Sequence, residues 1–157
     1  VANSFNDLSQ MLAPLGPTLP PQVLAASGNG LAVDVRKIGM NIINAVLFVG
    51  DATALTSLDV KMQASPDGTT GWVDITGATF TQVTADPGAT SVAMQVVPFN
   101  LPTVPSSGAT PYQFVRAVAT LVGTSINVCV GIFGCRKYDG NNAYQNAPGN
   151  DGGNVVN

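Results

Sequence analysis

The chain has 157 residues, enough for one folded domain, with a net charge of −3 and only 10% charged residues, against about 25% in ordinary soluble domains. Its few Lys and Arg are scattered, which excludes a nucleic-acid footprint. It contains no His, so the commonest general base, the usual partner of Ser and Cys nucleophiles, and the commonest zinc ligand are all missing.

So low a charge implies that part of the surface does not face water. The acidic residues are all Asp, while Gly, Pro, Val and Thr recur throughout. That is the composition of strands and turns rather than helices.

Residues 1–30 read as an arm. Ser4–Leu12 can form a short helix capped by Ser4, with Phe5, Leu8, Met11 and Leu12 on one face. Pro14, Pro17, Pro20 and Pro21 then enforce an extended path. Phe5, Leu8, Met11, Leu12, Leu15, Leu19 and Leu24 are too large an apolar load for a solvated tail. They are the candidate contact residues of an arm that lies across a neighbouring surface or is pinned on its own domain.

The domain is expected over residues 31–138. Strands are expected at Leu31–Lys37, Ile42–Val49, Leu58–Ala64, Trp72–Ile75, Thr79–Val83, Ser91–Val97, Gln113–Leu121 and Ile126–Phe133, separated by Gly-, Asp- and Pro-bearing turns. The strongest signal is Tyr112–Phe133. Val115, Ala117, Ala119 and Leu121 fall on one side of its first run, and Ile126, Val128, Val130 and Ile132 on one side of its second. With Val122-Gly123-Thr124-Ser125 between them, the two runs read as a β-hairpin with one face in a core. The predicted class is all-β: an antiparallel β-sandwich or jelly-roll-like domain with an extended N-terminal arm and a C-terminal tail. That tail, residues 139–157, is rich in Gly and Asn, with Tyr144 its one large aromatic and a further candidate contact.

Cys129 and Cys135 would lie about 20 Å apart on one extended strand, far beyond disulfide reach. They bond only if the chain doubles back, and two buried free thiols suit a reducing cytosol. No signal peptide is expected, and the longest apolar run, Ala45–Val49, is too short to span a bilayer, so no membrane partner is expected.

No constellation carries chemistry. Ser65-Pro66-Asp67-Gly68 reads as a hairpin turn followed by a packing Trp72. Asp139–Asn142 and Gly149–Asn154 offer oxygen ligands without the spacing of a calcium loop, so no metal and no cofactor is expected. Asp34, Asp59 and Asp74 fall on separate strands and read as solvent-facing positions rather than a catalytic pair. Trp72, Tyr112, Tyr138 and Tyr144 are too dispersed for a sugar-stacking row.

Two segments together carry a resemblance: LDVKMQASPDGTTGWVDITGATFTQVT (Leu58–Thr84) and FVRAVATLVGTSINVCVGIFGCRKY (Phe114–Tyr138). The pattern resembles small proteins encoded beside the major capsid protein in tailed phages and prophages, which are similar to capsid decoration, or cement, proteins. It covers roughly half of the chain, and the Pro-rich arm and the Gly/Asn tail lie outside it. The resemblance implies a β-sandwich or jelly-roll subunit, commonly a homotrimer, clamped to the major capsid protein on the outer surface of a virion assembled in the host cytoplasm. A structural protein and no enzyme is then expected. The competing readings are a carbohydrate-binding sandwich module, another neck or tail protein of the virion, and, furthest behind, an Asp-based hydrolase.

Overall fold

The computed structural model describes residues 12–35, 42–50, 52, 55–84, 93–102 and 109–135. They form ten strands in two antiparallel sheets packed face to face as a β-sandwich: β1 (Leu12–Leu24), β2 (Gly28–Asn29), β3 (Val33–Asp34), β4 (Ile42–Val49), β5 (Leu55–Ser65), β6 (Val73–Thr79), β7 (Val83–Thr84), β8 (Ala93–Phe99), β9 (Phe114–Gly123) and β10 (Ile126–Cys135). One sheet runs β1-β10-β4-β8. The other runs β2-β9-β5-β6, with β3 also on β9 and β7 also on β5.

Alternation of apolar residues builds the core. Ile43, Ala45, Leu47 and Val49 of β4 and Ile126, Val128, Val130 and Ile132 of β10 are buried from one sheet. Leu58, Val60, Met62 and Ala64 of β5 and Val115, Ala117 and Ala119 of β9 are buried from the other. Period-two patterning fixes the register, because a one-residue slip would turn each of these rows outward.

Three expectations change. Phe114–Gly123 and Ile126–Cys135 are not a hairpin. β9 pairs with β5 and with β2 and β3, whereas β10 pairs with β1 and β4. Both sides of each strand are therefore taken within its own sheet, and the turn carries the chain from one sheet across to the other. Gly123, at φ +112°, supplies the backbone conformation that this crossing uses. The apolar sides of the two runs meet across the core rather than side by side.

The division after residue 30 does not coincide with a break in the fold. β1 pairs with β10 from Leu12↔Cys135 to Leu24↔Ile126, so residues 12–24 are an edge strand of the four-stranded sheet. The prolines do enforce an extended path. A proline lacks the N–H that a central strand needs on both sides, so an edge is where a proline-rich strand can sit. The register shifts at Pro14/Gly16, Pro17/Leu19 and Leu19/Gln22 are the local cost of fitting them. Residues 4–11 of the expected helix, and the tail 139–157, lie outside the described residues.

Among the described residues, the expected strand Leu31–Lys37 appears as the short β3, with residues 36 and 37 outside the described residues, and Thr79–Val83 gives way to the end of β6 and the short β7. The others appear within a few residues. β5 and β6 form the hairpin expected around Pro66-Asp67-Gly68, with Gln63 opposite Asp74 and Ala64 opposite Val73. Both cysteines lie on the single strand β10, and Cys129 is a free thiol that is half-buried rather than buried as expected.

Candidate protein-binding surface

The two outer faces of the sandwich differ in chemistry. None of the four strands β1, β4, β8 and β10 contains an Asp, Lys or Arg. β3, β5, β6 and β9 carry Asp34, Asp59, Lys61, Asp74 and Arg116.

The charge-free face is built by cross-strand registers. Phe48 sits between Cys129 and Met94, Val46 between Gly131 and Val96, and Asn44 between Phe133 and Pro98. On the other side of β10, Val23 lies opposite Asn127. Alternation sends the partners of these residues into the core and leaves this set outward. Val23 is 61% exposed, Phe48 39%, Met94 62% and Val96 52%. Such exposure would be ordinary for a scattered residue, but here the four share one face whose strands carry no charged residue. Phe133 lies along the face over Gly131, where a Cβ would sit 3.0 Å from the ring.

Small side chains on β10 leave a hollow in this face. Pro21, Gln22 and Val23 of β1, Asn127 and Cys129 of β10, and Phe48 and Gly50 border a shallow depression of about 440 Å³. Burial pushes the Cys129 thiol up, so it stays protonated and neutral near pH 7. The hollow is apolar and carries no nucleophile–base pair.

The opposite face is polar and internally matched. Lys61 Nζ lies 2.6 Å from Asp74 Oδ2, and Gln63 Nε2 donates to Asp74 Oδ1 at 2.8 Å. These bonds hold the Asp74 carboxyl below the ordinary carboxylate range. Arg116 donates through Nε and Nη2 to Gln63 Oε1 at 3.1 and 2.9 Å, and its guanidinium stands 4.1 Å from the Trp72 ring centroid. Asp59 accepts from Gln82 Nε2. The aspartates of the three strands do not converge, and no group of three or more metal-ligating side chains forms among the described residues.

The turn next to this ladder is rigid. Ser65 Oγ is fully buried and accepts the Gly68 N–H at 3.0 Å while donating to the Thr70 carbonyl. Asp67 accepts from Thr69 N, Thr70 N and Thr70 Oγ1, and these bonds hold its carboxyl far below the usual range. Trp72 Nε1 donates to Thr69 O at 3.1 Å. The whole is a self-satisfied hairpin turn and leaves no donor set for a cation.

Of the contact residues expected from sequence, Leu19 and Leu24 are withdrawn. They are 3% and 9% exposed and belong to the domain's own core. Leu15 is partly buried against that core. Leu12 lies on β1, and Phe5, Leu8, Met11 and Tyr144 fall outside the described residues. Sequence reading missed the exposed set on β1, β4 and β8. The signal was present as strands without a charged residue, but without the pairing nothing placed those strands in one sheet.

Compared with models of known protein families and with curated proteins, the chain matches none.

Proposed function

We propose that this chain is a non-catalytic structural subunit of a virion, a decoration or cement protein that binds the major capsid protein on the outer capsid and ties neighbouring capsomers together. The observation that carries this reading is the four-stranded sheet without a charged residue, whose outward side chains include Val23, Phe48, Met94 and Val96. A charge-free apolar sheet face is a surface made to be covered by protein.

Strand order adds support. With β2 and β3 counted as one interrupted strand, and β6 and β7 as another, the sheets read 1-8-3-6 and 2-7-4-5. That order supports a jelly-roll reading of the sandwich, an architecture used by viral capsid and lectin domains. Of those two uses, the lectin one needs a row of exposed aromatics beside free polar groups. The polar face here offers one Trp, stacked by Arg116, and side chains that already bond one another.

The action is mechanical. A rigid two-layer body that buries about 1,200–2,000 Å² against its host forms a specific contact. As a homotrimer it multiplies that contact by avidity. Capsomers tied in this way resist separation by the pressure of packaged DNA, and the chain itself contacts neither nucleic acid nor membrane. Apolar N-terminal residues such as Phe5, Leu8 and Met11 are further proposed capsid contacts.

The test is co-sedimentation with purified expanded capsids of the virus that encodes the chain. Saturable binding at a fixed ratio to the major capsid protein is expected. Absence of binding overturns the assignment.

A further inference from the structure

We infer that Asn29 is a latent modification site, an asparagine set to lose ammonia by attack of its own backbone and held back while strand β2 stays paired. The inference does not depend on the capsid reading.

The sequence supplies the chemistry. Asn29-Gly30 is the chain's one Asn-Gly pair. The Gly30 backbone nitrogen, after losing its proton, attacks the Asn29 side-chain amide carbon. A C–N bond forms, ammonia leaves, and a five-membered succinimide closes. Water then opens that ring at either carbonyl. One opening gives aspartate; the other gives isoaspartate, with the main chain rerouted through the side chain. No oxidant or reductant enters. Glycine hinders this attack least, because it has no Cβ and its backbone turns freely. Asn29 itself is exposed, so water reaches its amide.

The fold holds the nucleophile. Gly30 N donates to Ala117 O at 2.8 Å, so the proton that must leave is engaged. Asn29 is paired with Val118 of β9, and its extended backbone must rotate out of the strand before Gly30 N can reach the side chain. The flanks are held too. Leu31 N donates to Thr18 O, and Thr18 Oγ1 donates to Leu31 O. On the other flank Ser27 Oγ donates to Leu121 O at 3.3 Å and accepts from Leu121 N at 2.8 Å. Conversion therefore needs the two-residue strand β2 to leave β9. So short an edge strand opens locally, without global unfolding.

The product cannot close again. Isoaspartate adds a methylene to the main chain and a carboxylate beside it. Gly30 has no room for the longer path, since even a Cβ there would overlap Thr18 Oγ1 and the Thr18 carbonyl. Gly30 and Leu31 can then no longer both meet their partners, and Thr18 is left to hold Ala117 N alone. A chain whose β2 edge has opened for long enough is marked irreversibly, with one more negative charge and a loosened β1 edge.

The experiment incubates the full chain in mildly alkaline buffer and follows Asn29 by tandem mass spectrometry of the tryptic peptide that ends at Arg36. The folded wild type should convert roughly 10- to 100-fold more slowly than the same chain unfolded in guanidinium. Ser27→Ala releases one flank of β2 from an exposed position and should speed the folded chain about fivefold, with circular dichroism unchanged. Thr18→Val should speed it about tenfold. Asn29→Gln, which would have to close a six-membered ring, should not convert on this timescale. The isoaspartate form, separated by ion exchange, should melt below the wild type.

A folded wild type that converts as fast as the unfolded chain has no gate, and the inference falls. It falls equally if wild type, Ser27→Ala and Thr18→Val all convert at one slow rate, because the opening is then not that of β2. Should Thr18→Val fail to fold, Ser27→Ala decides alone. An isoaspartate form that melts with the wild type overturns the one-way mark.

Discussion

The hydroxyl of Thr18 accepts the backbone N–H of Ala117 at 2.9 Å across the two sheets of the sandwich. The same oxygen donates to the Leu31 carbonyl at 2.8 Å, and the Thr18 carbonyl accepts the Leu31 N–H. Thr18 is fully buried on the edge strand β1, and Ala117 is small enough to let that edge approach β9. Gly30 lies so close that any Cβ there would overlap the Thr18 backbone. At the other edge, Gln95 of β8 accepts from Thr81 N at 2.8 Å and donates to Thr81 O at 3.0 Å. Both edge strands of the charge-free sheet are thus fastened to the opposite sheet's side by a polar side chain that takes up backbone groups.

Thr18→Val keeps the shape and removes the hydrogen bonds. It orphans a buried N–H, and such a group costs about 1–3 kcal/mol. Urea denaturation should show that loss with an unchanged m-value, while Thr18→Ser should retain most of the stability. A Val variant as stable as the wild type would mean that the fastening contributes nothing. Gln95→Ala, at a half-buried position, should cost about 1 kcal/mol.

Acid should weaken the 65–72 turn first. The Asp67 carboxyl is held far below its ordinary range by its bonds to Thr70 and Thr69. As pH falls below about 4 the unfolded chain takes up this proton before the folded chain does. The stabilisation is therefore complete above about pH 4 and is lost as pH drops towards the depressed folded value. Asp67→Asn should lower the melting temperature at pH 6, and the gap to wild type should narrow steadily towards pH 2. A constant gap across that range would show that ionisation of Asp67 is not what holds the turn.

The sheets were legible in sequence where one side of a strand is apolar and the other is not. Residues 58–64 and 113–121 alternate because β5 and β9 have a wet polar face. The partner of each strand was not legible. Alternation in Val115–Leu121 and Ile126–Ile132 says which side is buried but not whether the two runs lie beside or across from each other. β1 was hidden for a different reason. Its four prolines forbid a central strand and so read as an arm, while an edge strand tolerates them. The charge-free face stayed hidden too, because its strands are brought together only by the pairing.

Truncation separates arm from strand. Removing residues 1–10 leaves β1 whole and should leave the melting temperature within about 2 °C of the wild type. Removing residues 1–24 deletes β1, uncovers one side of β10 and takes Leu19 and Leu24 out of the core. The loss of two buried Leu side chains alone is worth several kcal/mol, and the bared strand is a template for aggregation. Capsid binding should therefore be compared with the shorter deletion only. Equal binding by that form would remove Phe5 and Leu8 from the proposed contacts.

Trp72 is the chain's one tryptophan, so its fluorescence reports directly on the polar face. Its ring is covered by the Arg116 guanidinium, whose Nε and Nη2 both reach Gln63 Oε1. Arg116→Lys keeps a charge but has no planar fork to stack on the ring while holding the Gln63 oxygen. The stacked pair is worth about 0.5–1 kcal/mol at a partly exposed site, and the variant should lose most of it. Its Trp emission should change in intensity and shift to longer wavelength as water reaches the ring. A variant with unaltered emission would show that the guanidinium does not shield Trp72.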